Sequence, residues 1–211
     1  MVLRASSRPP TVPAGTVTWL EIDVFALKKN VRAFRSRLAP GTRLAAVVKS
    51  DAYGHGVAHV APAVLEAGAA WLAVWGLGEG VALRRLVGPG VPILLLGHTP
   101  PEDFAAAIEH DLRLTLYDHD VIGRLADAAR DVRSEAHVHL KLETGTNRQG
   151  LPPEELLRVA RRVAAEPGLV LEGLSTHYAD IEDTTDHTFA EAQGAIFADT
   201  SAALAAAGLL P

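Results

Sequence analysis

Two lysines, an arginine and a histidine sit in this sequence where apolar runs give way to loops. Lys49 ends the run Ala45, Ala46, Val47, Val48, and Ser50, Asp51, Ala52, Tyr53, Gly54, His55 and Gly56 follow it. The run is β-branched and apolar, the pattern of a buried strand. Gly54 and Gly56 then free the backbone to turn sharply. A helical pattern begins at once, with Val57, Val60, Ala61, Val64 and Leu65 on one face. A primary amine thus stands where a strand ends and a loop into a helix begins. Most lysines at such places reach into solvent along their apolar stems. An amine held at a strand end is also what Schiff-base chemistry needs.

The second group is Lys141, Leu142, Glu143, Thr144, Gly145, Thr146, Asn147, Arg148, Gln149, Gly150. Lys141 belongs to an apolar strand pattern, and Arg148 lies in a glycine-bounded loop just beyond it. An arginine fork binds a carboxylate through two hydrogen bonds, although an isolated loop arginine is ordinarily just solvated. The third group is Ser175, Thr176, His177, Tyr178, where His177 ends an apolar run. His55, His59 and His98 form no metal-ligand pattern. Asp180, Glu182, Asp183 and Asp186 lack the glycine-centred loop of an EF-hand and read as a solvated acidic loop.

The elements that must position these residues alternate. Trp19, Leu20, Glu21 and Ile22 read as a short strand. Asp23 is a good N-cap, and Phe25, Leu27, Val31, Phe34 and Leu38 stripe the helix that follows. Strands are then expected at 43–49, 71–75, 91–97, 113–117, 136–143 and 169–177. Helices are expected at 57–67, 79–87, 102–109, 119–129 and 153–165, with a last one over 186–207. Such alternation implies right-handed βαβ units and a parallel sheet. A doubly wound sheet and a (β/α)8 barrel both fit. No Gly-x-Gly-x-x-Gly follows the first strand, which weakens a dinucleotide-binding sheet. Lys49, Glu143 and His177 end three different strands, and a barrel collects such residues in one mouth. The expected fold class is therefore α/β, a (β/α)8 TIM-like barrel with about six βα units present. Since a closed barrel needs eight, the chain is expected to be part of a longer protein.

Composition narrows the function. The 211 residues suffice for one sizeable core. A net charge of −5 argues against a nucleic-acid partner. There is no cysteine, which removes disulfides and thiolate metal sites and fits a reducing, cytoplasmic setting. No secretory apolar stretch follows Arg4, and no run is long enough to span a membrane. Residues 1–18 read as a flexible leader and 19–211 as the barrel domain.

The string Lys-Ser-Asp-Ala-Tyr-Gly-His-Gly beginning at Lys49 resembles the pyridoxal-phosphate attachment signature of alanine racemases, with Ser50 in place of the commoner alanine. The segment around Arg148 resembles the family's carboxylate-binding segment, with Asn147 where glycine is frequent. The segment around His177 is similar to its Thr-His-Phe/Tyr segment. The resemblance runs from Trp19 to Pro211. It implies a homodimeric enzyme of two domains, a barrel and a mostly β domain, that interconverts L- and D-alanine for peptidoglycan. It further implies pyridoxal 5'-phosphate on Lys49, its phosphate reached by Tyr53 and its ring packed on His177. Arg148 would meet the substrate carboxylate, and Lys141 aligns with a lysine that is carbamylated in some members. The second proton-transfer group, a tyrosine of the partner subunit in that family, would fall beyond Pro211. This chain by itself is then expected to be weakly active or inactive. A single-domain pyridoxal-phosphate carrier and a racemase of serine or another amino acid remain open alternatives.

Overall fold

The structure, a computed structural model, describes residues 2–4, 14–182 and 185–209. The chain divides into two compact units, Met1–Leu94 and Leu95–Pro211.

In the first unit, β1 (Val2–Arg4) pairs in parallel with β2 (Glu21–Asp23). Of the expected leader, residues 1 and 5–13 lie outside the described residues. The Asp23 carboxylate accepts the N–H groups of Phe25 and Ala26 at 2.9 and 3.0 Å and so starts α1 (Val24–Arg35). The expected apolar stripe is only partly buried: Val31 is buried, but Phe25 and Phe34 are 57% and 63% exposed. The helix also ends before Leu38. β3 (Ala45–Val47) pairs in parallel with β4 (Trp71–Val74), Ala45 opposite Trp71. β3 is less buried than its apolar run suggests, with Val47 42% exposed. Between them runs α2 (Val57–Glu66), which buries Val60, Ala61, Ala63 and Val64. Lys28 Nζ meets the Glu66 carboxylate at 2.6 Å and joins α1 to α2. α3 (Leu77–Val87) follows β4, and the division between units falls inside β5 (Ile93–Leu95).

In the second unit, a short 3₁₀ turn leads into α4 (Phe104–Glu109). Then come β6 (Leu112–Leu116), α5 (Ile122–Val132), β7 (Ala136–Lys141), α6 (Pro153–Ala165), β8 (Leu169–Ser175) and α7 (Thr188–Ala206). β6 pairs in parallel with β7, and β7 with β8. Along β7, Ala136, Val138 and Leu140 are buried, while His137, His139 and Lys141 alternate with them on the other face. The β7–β8 register slips between Val138 and His139, leaving Glu172 as the extra residue. Gly173 permits this, since a Cβ there would lie 2.7 Å from the His139 ring.

From β3 to α7 the described residues contain six strand–helix units. This is the α/β class expected, an incomplete (β/α)8 barrel. All six core strands and the helices between them form, with ends shifted by at most three residues. The shift is largest for the helix expected over 119–129, which forms at Ile122–Val132.

Candidate active site

In the first unit the ladder continues to Val48, whose N–H donates to the Ala73 carbonyl at 2.8 Å. The chain then turns left-handed. Ser50, Asp51 and Ala52 have φ of 53° and Tyr53 has φ of 55°. None of the four is glycine, and each such residue costs roughly 1–2 kcal/mol. A run like this persists only where its surroundings over-determine it. Several contacts in and just after the turn do so. Ala52 N–H donates to Val48 O at 3.0 Å and Gly54 N–H to Ser50 O at 3.0 Å. The Asp51 carboxylate accepts the Val57 N–H at 2.7 Å, which seats the first turn of α2. Gly54 and Gly56, with φ of 83° and 84°, carry the chain out, as their sequence positions suggest.

The turn brings Tyr53 back beside Lys49. The Lys49 ammonium lies 5.9 Å from the Tyr53 ring centroid and 5.6 Å from that of Trp75. Both rings are substantially exposed, at 61% and 48%. Lys49 itself is half-buried. Its amine is thus reachable from solvent, flanked by two aromatic faces, on a backbone with little freedom to move. Trp75 and the carboxylate of Glu79, which bonds the turn from outside, were not legible as site residues. They lie past the next strand, with no local motif to mark them.

In the second unit, Lys141 and Arg148 come together. Burial holds the Lys141 ammonium below the usual lysine pKa, and the nearby Arg148 charge lowers it further, against a smaller opposing effect of Glu143. The Arg148 loop is shaped by Glu143. Burial alone would raise that carboxyl, but the backbone N–H groups of Gly145, Asn147, Thr146 and Arg148 together pull it below the usual carboxylate range. The loop closes where Glu143 N–H meets Leu151 O at 2.9 Å and Leu151 N–H meets Lys141 O at 2.8 Å. Asn147 has φ of 52°, a conformation that glycine and asparagine adopt most readily, so asparagine serves in place of glycine here. Gly150 has φ of 146°, and a Cβ there would lie 2.6 Å from the Glu143 nitrogen. Gly150→Ala is therefore expected to destabilise the protein by about 2–4 kcal/mol, since backbone and not a flexible side chain must yield. Chemical denaturation of the variant checks this, and an unchanged midpoint would refute it.

His177 is exposed just beyond β8. Its carbonyl accepts hydrogen bonds from Thr146 Oγ1 at 2.9 Å and Gln193 Nε2 at 3.0 Å. Gln193, fully buried on α7, also donates to Thr144 Oγ1 at 2.9 Å and accepts the Ala179 N–H at 2.9 Å. One amide thereby ties the Arg148 loop to the His177 loop. Its only trace in the sequence is a polar residue among the alanines of the last helix. Below Lys141 on the same face of β7, His139 Nε2 lies 3.3 Å from Glu172 Oε2, which also accepts from Arg113 Nε at 3.3 Å. Burial holds His139 below the usual histidine range despite this carboxylate. Of the acidic loop residues, Asp183 lies outside the described residues, and Asp186 accepts the N–H of Thr188, the first residue of α7, at 2.8 Å. His55 bonds the Ala52 carbonyl at 3.0 Å.

The family model described as "Alanine racemase, N-terminal domain" matches residues 22–211. The chain belongs to this family. It is 41% identical over 192 residues to an alanine racemase of Syntrophobacter fumaroxidans, covering 91% of this chain and 51% of that protein. The chain spans about half the length of the curated relatives it matches. Among solved structures, alanine racemase from Bacillus anthracis with bound L-Ala-P superposes with a TM-score of 0.82 at 33% identity, covering 93% of this chain and 50% of that one. A histidine racemase from Leuconostoc mesenteroides superposes at 0.76 and 25% identity, covering 82% and 46%. The alanine racemase family uses pyridoxal 5'-phosphate. The first unit suits that group chemically: a primary amine for its aldehyde, aromatic faces beside that amine, and a phenol at Tyr53. Among the described residues, no helix is long and apolar enough to cross a membrane.

Proposed function

We propose that this protein interconverts L- and D-alanine, with pyridoxal 5'-phosphate attached at Lys49. The observation that carries the reading is the Lys49 amine, fixed at a strand end by a left-handed turn, between Tyr53 and Trp75, in a chain of this family. When bound, the cofactor supplies the electron sink that acidifies the Cα–H of the amino acid. Lys49 would anchor it and, as a free amine, take and return the Cα proton on one face. Arg148 binds the substrate carboxylate and fixes which face is presented. With the cofactor bound, the Tyr53 hydroxyl would serve its phosphate and His177 its ring. Racemisation needs a second acid–base group on the opposite face, and we assign it to the partner subunit of a homodimer. The D-alanine product serves peptidoglycan, in the cytoplasm. Borohydride reduction of the full-length protein with pyridoxal phosphate, followed by peptide mass mapping, tests the attachment. Label on the Lys49 peptide is expected, and label elsewhere or nowhere would overturn the reading.

The histidine racemase likeness favours one second reading, a racemase of another amino acid. Chirally resolved turnover of alanine, serine and histidine separates the two, the first substrate being expected to dominate.

Lys141 is proposed to carry a carbamate. Burial and the Arg148 charge both favour its neutral amine, and a neutral amine attacks carbon dioxide. The new N–C bond forms as one N–H proton leaves to solvent, and the resulting anion holds Arg148 in place of a repelling cation. With ¹³C-bicarbonate, a carbamate carbon resonance is expected that Lys141→Ala abolishes. Its absence from the unmodified protein at neutral pH would exclude the modification.

A further inference from the structure

We propose that Glu79 is a positioning residue for the Lys49 amine, one carboxylate fixing the backbone on both sides of it; the inference rests on the role of Lys49 argued above. Glu79 Oε1 accepts the Ser50 N–H at 2.5 Å, and Oε2 accepts the Trp75 N–H at 2.8 Å. Ser50 directly follows Lys49 and is the first residue of the left-handed run. Trp75 carries one of the two rings beside the ammonium.

The bond to Trp75 is local. Glu79 is the third residue of α3 and reaches back past the helix start, as acidic residues there commonly do. Helix capping alone would need nothing more. The bond to Ser50 crosses 29 residues of sequence. The turn does not use that N–H itself: its internal bonds run from Ala52 to Val48 and from Gly54 to Ser50. Within the turn that N–H has no recorded partner, and Glu79 supplies a charged acceptor from outside it. The fork of a carboxylate has a fixed width. It therefore sets the spacing between the end of β3, where the amine is, and the end of β4, where the ring is. Glu79 touches neither the amine nor any reacting atom, so its effect passes through Lys49.

Three variants of the full-length protein test this. Glu79→Ala removes both acceptors. Glu79→Gln retains one carbonyl oxygen and cannot accept from both sides equally. Glu66→Ala breaks the Lys28 pair elsewhere in the same unit and serves as the stability control. The readout is the pyridoxal phosphate concentration at which half of Lys49 is trapped by borohydride, measured on the Lys49 peptide, with folding followed by circular dichroism. Glu79→Ala is expected to raise that concentration roughly tenfold or more, and Glu79→Gln by roughly threefold, as befits losing two charge-assisted bonds or weakening them. Glu66→Ala is expected to leave it unchanged. Trapping of a folded Glu79→Ala at the unmodified concentration would overturn the proposal, as would an equal shift in Glu66→Ala. Should Glu79→Ala fail to fold, Glu79→Gln decides in the same way. If the unmodified protein is not trapped at Lys49 at all, the reading of Lys49 fails and this inference with it. If it is trapped but the Glu79 variants match it, only the role of Glu79 fails.

Discussion

Lys49→Ala is expected to abolish reductive trapping of pyridoxal phosphate and to lower alanine racemisation by roughly a thousandfold or more, because one group is removed from two tasks. In the proposed reading the amine is both the tether of the cofactor and the carrier of the Cα proton on one face. The loss should not come from unfolding. Lys49 is half-buried, and among the described residues its ammonium is recorded against the two rings alone, at 5.6 and 5.9 Å, each cation–π contact contributing about 0.5–1 kcal/mol at exposed sites. The left-handed turn is held by backbone groups and by Asp51 and Glu79, none of which the substitution removes. Circular dichroism and the thermal midpoint should therefore change little. Lys49→Arg keeps the charge between the two rings yet offers no amine able to condense with an aldehyde. It should fail as completely as alanine does. A yellow colour that survives reduction and dialysis in Lys49→Ala, together with retained turnover, would refute the assignment.

Arg148→Ala should raise the KM for alanine by roughly a hundredfold or more while leaving cofactor trapping at Lys49 intact. Each hydrogen bond from a charged donor to a carboxylate contributes about 1.5–3 kcal/mol, and the guanidinium offers two in parallel. The carboxylate persists through the reaction, so the loss falls mainly on binding and less on kcat. Arg148→Lys should recover part of the loss, since it restores a point charge without the planar fork. Arg148 is exposed, so folding should not suffer. Removing its charge also withdraws one of the two causes that lower the Lys141 pKa. The Lys141 amine then stays protonated to higher pH. An unchanged KM in Arg148→Ala would show that another group meets the carboxylate.

Much of this was legible from residue types and order. The alternation of apolar strands with amphipathic helices specifies the βα repeat, because burial on a 2-residue or 3.6-residue period is a local property. Asp23 as a cap and Gly54 and Gly56 as turn residues are local in the same sense. The strings around Lys49, Arg148 and His177 were visible because each candidate residue sits within a short segment whose residue types suggest a chemistry.

What the linear order left undecided was whatever depends on groups far apart in the chain. Four successive residues that are not glycine adopt a left-handed turn after Lys49, against their own preference. Propensity predicts the opposite. The turn is held by its own backbone bonds together with an acceptor 29 residues away on Glu79. The same holds for Gln193, whose amide joins two loops through bonds spanning 49 and 14 residues. It holds again for the slip in the β7–β8 register that turns Glu172 toward His139. The amino-acid sequence by itself determined which elements form and which residues are candidates for the chemistry, since those follow from local pattern. Only the tertiary structure decided how that chemistry is aimed, because a strained backbone and a buried polar group are stable only when distant partners meet them.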